Sequence, residues 1–317
     1  MSLLDRLRDQ FLPSPVDDAL RALIEQAVRQ VEPELCRMHA FPQRYARAFR
    51  HALAYCQTMA AEVPGPVAIN RQAFSHDPVV HAMFGSADAI QETEIKSRAV
   101  QEWQRSHALG EVYALLAVRL QEKNILGMEM RGDHVQRDVP QKVVYFSHHT
   151  FSELGTSEQE VRMHLVQRFL QSLVERVKER IDHLREEKKR LEQLRDEIQA
   201  RLRLHRDDAD LKAAFASTLA TLSEAVAGLD MRVYADYFDE VLLSPEKYLQ
   251  LSPFSLHLDS MGVCRAPDEG GAARDLQLSG MACRDRRHWT VLLVCCRLDE
   301  LPPYGARLAE AQRWLSI

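Results

Sequence analysis

The stretch 157–205, SEQEVRMHLVQRFLQSLVERVKERIDHLREEKKRLEQLRDEIQARLRLH, decides the fold. It holds no Gly and no Pro, and opposite charges crowd its polar positions. Val161, Leu165, Leu170, Leu173, Val177, Ile181, Leu184 and Ile198 recur at helical spacing. This pattern predicts one amphipathic helix. At a rise of roughly 1.5 Å per residue it would be about 70 Å long, more than a compact domain needs. Ser157 and Glu160 stand as a capping box at its start. The heptad is imperfect, because Arg180, Glu187 and Arg201 fall on expected core positions. Arg206-Asp207-Asp208 reads as the reversal, with Asp207 as the cap. The return arm then carries Leu211, Phe215, Leu219, Leu222, Val226 and Leu229, with a kink at Gly228, and continues through Tyr234, Phe238 and Val241 to Leu243. A short loop makes the two arms antiparallel neighbours.

Outward from this hairpin, the preceding third reads as helices. Ser14 with Pro15 opens one whose apolar face is Leu20, Leu23, Ile24, Ala27, Val28 and Val31. A second spans 43–62, with Tyr45, Phe49, Leu53, Cys56 and Met59 on one side, and Pro64-Gly65-Pro66 ends it. Ser86 caps a third, which runs to about 106. The segment 107–120 fits a helix through Leu109, Val112, Leu116 and Leu120, although 112–118 would also suit a buried strand. Strands are expected at 124–131 and 135–146 around Gly132-Asp133, with Pro140 placing the second at an edge. After the hairpin come strands at 254–264, 276–283 and 289–298, the last apolar on both faces and therefore central. A final helix is expected at 307–315.

The strand segments on either side of the hairpin are too small to stand alone. The expected fold is therefore α+β and mainly helical: an N-terminal helical region (1–106), one small antiparallel or mixed sheet of about five strands (107–155 with 244–317), and a long coiled-coil-like helical hairpin (156–243) inserted between the strand segments.

Composition bounds function loosely. The 317 residues are 46% apolar and 27% charged, with 41 basic against 46 acidic side chains and a net charge of -5. Such a chain folds, and its weakly acidic total argues against an obligate nucleic-acid coat. Residues 1–12 carry Asp5, Arg6, Arg8 and Asp9 without an apolar core, so no secretory leader is expected, and no run approaches the ~18 apolar residues of a membrane span. The cysteines, Cys36, Cys56, Cys264, Cys283, Cys295 and Cys296, form no CxxC pair and read as buried free thiols of a cytoplasmic protein.

Few residues suggest chemistry. His76, Asp77 and His81 offer two imidazoles and a carboxylate within one turn or two, a donor set for a transition metal in a hydrolase. The competing reading makes Asp77 the cap of a helix starting at Pro78. His148-His149 invites a metal or pH-sensitive reading. Ser255, His257 and Asp259 share a strand face, but positions two apart lie ~6.5 Å from each other, too far for a triad. Arg44, Arg47 and Arg50 form a basic stripe able to meet phosphate, which gives a third and weaker reading, a nucleic-acid accessory factor. No motif of a nucleotide, metal or nucleophile site is present, and no cofactor is expected. The leading expectation is an interaction or scaffold protein. Its hairpin would self-associate or dock a partner through Val161, Leu165, Phe169 and Leu173 at its root, with a homo-oligomer the simplest outcome.

Overall fold

The computed structural model describes residues 17–107, 110–131, 134–265, 273–282 and 288–301. The fold is α+β and mainly helical, with a curled sheet and a long helical hairpin inserted between its third and fourth strands. The chain forms two compact units, residues 1–56 with 168–248 and residues 57–167 with 249–317. The three-part division expected from sequence places 1–106 together. In the structure residues up to 56 join the hairpin and residues from 57 join the sheet.

The first unit is helical. Helix α1 (Asp18–Val31) starts one turn later than expected, with Asp17 as its cap, accepting from Leu20 N at 2.7 Å. Its buried side chains Leu20, Ile24, Ala27, Val28 and Val31 match the predicted face. A short 3-10 turn (Pro33–Arg37) leads to α2 (Gln43–Glu62), whose first part belongs here. Helix α7 (Glu158–Leu204, 47 residues) enters this unit at Arg168. The chain turns at 205–208 and returns as α8 (Ala209–Ala227) and α9 (Met231–Leu243). Asp208, not Asp207, caps α8, accepting from Asp210 N and Leu211 N at 3.0 Å each. Gly228 ends α8 outright instead of kinking it. The core is aromatic: Phe238 lies 5.3 Å from Tyr45 and 5.8 Å from Phe49 between ring centroids, all three fully buried.

The second unit is built on a six-stranded sheet. Strand β1 (Val67–Ile69), unforeseen in the sequence because it has only three residues, runs parallel to β6 (His288–Arg297). Strands β2 (Glu111–Arg131), β3 (His134–Gly155), β4 (Gln250–Leu258) and β5 (Arg274–Ala282) complete the order β3-β2-β6-β5-β4. The helix expected at 107–120 is thus the start of β2. Val112, Ala114, Leu116 and Val118 alternate into the core, and pairing with β6 from Glu111↔Arg297 to Val118↔Thr290 overrides the accidental 109/112/116/120 spacing. Pro140 does sit on an edge strand, and β6 is central and buried on both faces. Four short helices cover the sheet's core face: α3 (Arg71–His76), α4 (Pro78–Met83), α5 (Ala87–Lys96) and α6 (Arg98–Ser106). The last two replace the single helix expected from Ser86, because Ser97 breaks it and caps α6 through Val100 N. The turns at 132–133 and 283–287 and the helix expected at 307–315 lie outside the described residues.

Two devices hold this unit together. Arg162 donates to Glu158 at 2.7 Å and reaches the carbonyls of Ala60, Ala61, Val63 and Gly65 at the end of α2, satisfying acceptors that a helix terminus leaves open. The second device closes the curl. Residues 262–264 bond to β3 (Val144 N to Gly262 O and Cys264 N to Lys142 O, both 2.8 Å), while Cys264 bridges to Leu258 of β4. The two ends of the sheet are thereby tied. Gly262 has φ +76°, and a Cβ there would sit 2.7 Å from the Val144 carbonyl oxygen. Gly262→Ala is therefore expected to cost about 1–3 kcal/mol in chemical denaturation. Gly85→Ala, where a Cβ meets nothing within 4 Å, should stay within ~0.5 kcal/mol of the parent.

Candidate functional site

The three residues singled out as metal ligands occupy the α3–α4 corner. Asp77 caps α4, its Oδ1 accepting from Val79 N at 2.8 Å and Val80 N at 3.2 Å. Pro78 takes the first helical position, where its missing N–H leaves nothing unpaired. His76 Nδ1 faces the Gln72 carbonyl at 3.0 Å, and His81 Nδ1 faces the Phe74 carbonyl at 3.3 Å while its ring lies 4.8 Å from that of Phe74. Asp77 is spent on the cap and each imidazole turns its Nδ1 to a local carbonyl, and among the described residues no group of three His, Cys, Asp or Glu is placed to hold a metal ion.

The basic stripe is likewise divided. Arg44 binds Asp236 at 2.9 Å and approaches Asp239 at 3.6 Å, with its guanidinium over the Tyr45 ring. Burial raises the Asp239 carboxyl above its ordinary range, although the nearby Arg44 opposes the rise. Burial also pushes the Tyr45 hydroxyl up to about 12. Arg47 and Arg50 are exposed on the same helix. Arg44 thus serves the helical core, and the stripe does not act as one phosphate cradle.

Val161, Leu165, Phe169 and Leu173, the expected docking residues, are buried by the chain itself, at 0%, 0%, 3% and 1% exposure. The root of the hairpin therefore carries contacts within the chain and offers these side chains no free surface. The free apolar surface lies farther out. Helix α8 carries only Asp210, Lys212 and Glu224 as charges and none over residues 213–223. Of its 19 residues, only Thr218, Leu222 and Ala225 are buried. Leu219 and Val226 stand 42% and 48% exposed, and Leu194 and Leu204 of α7 are exposed as well. Sequence reading placed Leu219 and Val226 on the hairpin seam and missed their exposure, since a hydrophobic pattern does not say how much of it two helices can cover.

The remaining candidates have structural partners. His257 Nδ1 lies 2.7 Å from Asp275 Oδ1 in a cross-strand pair, while Asp259 accepts from Met261 N, Val263 N and Arg265. Ser255, His257 and Asp259 are not gathered into a triad. Burial pushes the Cys56 thiol up to about 12 and the Cys295 thiol to about 11, and drives Cys296 well above the ordinary value. These thiols stay protonated and are poor nucleophiles. His149 donates from Nε2 to the Met83 carbonyl at 2.7 Å and stacks on Phe84 at 4.8 Å. No family model, curated protein or solved structure matches the chain.

Two measurements test these assignments. Asp77→Ala should cost about 1 kcal/mol as a lost cap, whereas Asp77→Asn, which keeps the accepting oxygen, should cost only a few tenths. Equal losses would instead implicate the charge. For His149, burial lowers the folded pKa below the ordinary 6.5. The unfolded chain then binds the extra proton first, so this group's contribution is present above that value and is lost as pH falls below it. His149→Gln should therefore show a smaller stability loss between pH about 7 and about 5 than the parent, measured by urea denaturation.

Proposed function

We propose that the chain is a self-associating scaffold protein of the cytoplasm, whose hairpin arm α7–α8 packs against the same arm of a second copy. The composition and exposure of α8 carry this reading. A helix apolar around most of its circumference belongs in an interior, yet α8 buries three residues and leaves Leu219 and Val226 in water. An interior large enough for it needs more helices than the hairpin supplies. Two hairpins meeting about a two-fold axis make a four-helix bundle with short loops. The uncharged stretch 213–223 supports a second copy as the occupant: the face meets itself without like charges opposed, and an acidic or basic partner would find no counter-charge there. The free thiols Cys36, Cys56, Cys264, Cys295 and Cys296 fit a reducing compartment.

Sedimentation equilibrium at tens of micromolar is expected to give a dimer or a higher even-numbered species. Leu219→Glu with Val226→Glu should return the monomer while helical circular dichroism is kept, because both side chains are exposed within one chain. A parent that remains monomeric across that range would overturn the reading.

A further inference from the structure

The second unit contains a cavity of about 630 Å³ that none of the assignments above uses. It opens between the α3–α4 corner and the tied ends of the sheet, next to the closing segment 259–262. Its volume falls in the range of small-molecule sites, roughly 300–1,000 Å³, and the mouth of a curled sheet is a recurrent place for one. Six members of the hydrophobic core line it: Met83, Phe84, Val144, Phe146, Leu258 and Leu276. Met261 also lines it and is 82% exposed, a flexible apolar side chain held at the rim with nothing over it. The six core members are themselves buried, and the apolar side chain left open to water at the rim is Met261, which covering would stabilise.

The polar part of the lining has a sign. Asp259 is the acidic side chain of the lining, and its carboxylate is spent: Oδ1 accepts from two backbone N–H groups of its own loop, and Oδ2 pairs with Arg265 at 3.1 Å. Arg274 lines the cavity as an exposed residue and has no ion-pair partner among the described residues. His81 lines the cavity too, and with Nδ1 turned to the Phe74 carbonyl its Nε2 is the atom left for a ligand. A partly apolar chamber lined by Arg274, which has no ion pair among the described residues, and by an imidazole, with its carboxylate neutralised, suits a molecule that is apolar at one end and anionic at the other. A planar guanidinium matches a carboxylate in two-point geometry.

We propose that this cavity binds a small amphipathic carboxylate, its hydrocarbon body against Met83, Phe84, Phe146 and Leu276 and its carboxylate on Arg274. The site is independent of the self-association reading and involves none of the hairpin residues.

Isothermal titration calorimetry of the full chain with decanoate, and separately with decanol, tests it. Decanoate should bind with one site per chain, and decanol, which keeps the body but lacks the charge, about tenfold or more weaker, as loss of one charge-assisted hydrogen bond implies. Arg274→Gln should weaken decanoate by a similar factor and leave decanol unchanged. Absence of decanoate binding at millimolar concentration would overturn the proposal. So would equal affinity for decanoate and decanol, or decanoate binding unchanged in Arg274→Gln.

Discussion

The sheet-bearing unit depends on a contact only a glycine can make. Residues 262–264 must lie against β3 closely enough for Val144 N and the Gly262 carbonyl to bond at 2.8 Å, and a side chain at 262 would strike the Val144 carbonyl. This contact turns an open curled sheet into one whose two ends are joined through a short linking segment. The loop before it is organised for the same end. Asp259 collects Met261 N and Val263 N on one oxygen and Arg265 on the other, which fixes the turn that presents Gly262. Joining the ends brings Val144 and Phe146 of β3 and Leu258 and Leu276 of β4 and β5 into one apolar cluster, although they belong to opposite ends of the strand order. The cavity at that place follows from the curl: strands meeting through a three-residue segment leave space that the α3–α4 corner does not fill.

The helical unit is organised differently, around polar groups whose burial has a cost. Glu32 is buried and held by Arg185, which also lies over the Tyr234 ring. Tyr45 and Asp239 each leave a buried oxygen without a hydrogen-bond partner, and both titrate above their ordinary values because burial disfavours their charged forms. Such groups contribute little net stability. What they do constrain is register, since Arg44 can reach both Asp236 and Asp239 only if α2 and α9 keep one rotation and one offset. The stability of this unit rests on the Tyr45, Phe49 and Phe238 cluster, where each ring buries a large apolar area.

Much of this was legible in the sequence where a pattern was long and locally determined. Helix α2 came out with its ends at 43 and 62, and the capping pair at 157 and 160 is realised, with Glu160 N on Ser157 Oγ at 3.2 Å and the Glu160 carboxylate on Thr156 N at 2.7 Å. Errors fell where a partner distant in the chain decides. Residues 112–118 satisfy both periods, and only β6, some 180 residues away, settles them as strand. Strand β1 has three residues and no signal of its own, and it exists because Leu293 N bonds the Pro64 carbonyl and β6 offers an edge. The capping role of Asp77 could be read from Pro78, whereas the cavity could not, because its lining comes from five separated segments that only the closed sheet assembles.

The inserted hairpin bears on how such a sheet can form at all. The pairings that matter most are remote: Val67 with Val294, Tyr113 with Cys295, Val143 with Val263. The entropy of closing a loop grows only with the logarithm of its length, so the hairpin's residues add little to the cost of joining β3 to the strands after it. Their folding into a hairpin reduces that cost further, because a folded arm leaves less flexible chain to close. A long helical insertion is thus compatible with a non-local sheet, and its outer surface is left free of the demands of folding. A charge-free face on α8 is therefore not explained by the sheet, nor by a helix propensity that charged residues would serve equally well. On the self-association proposed above, its explanation is the arm of the second copy that packs on it.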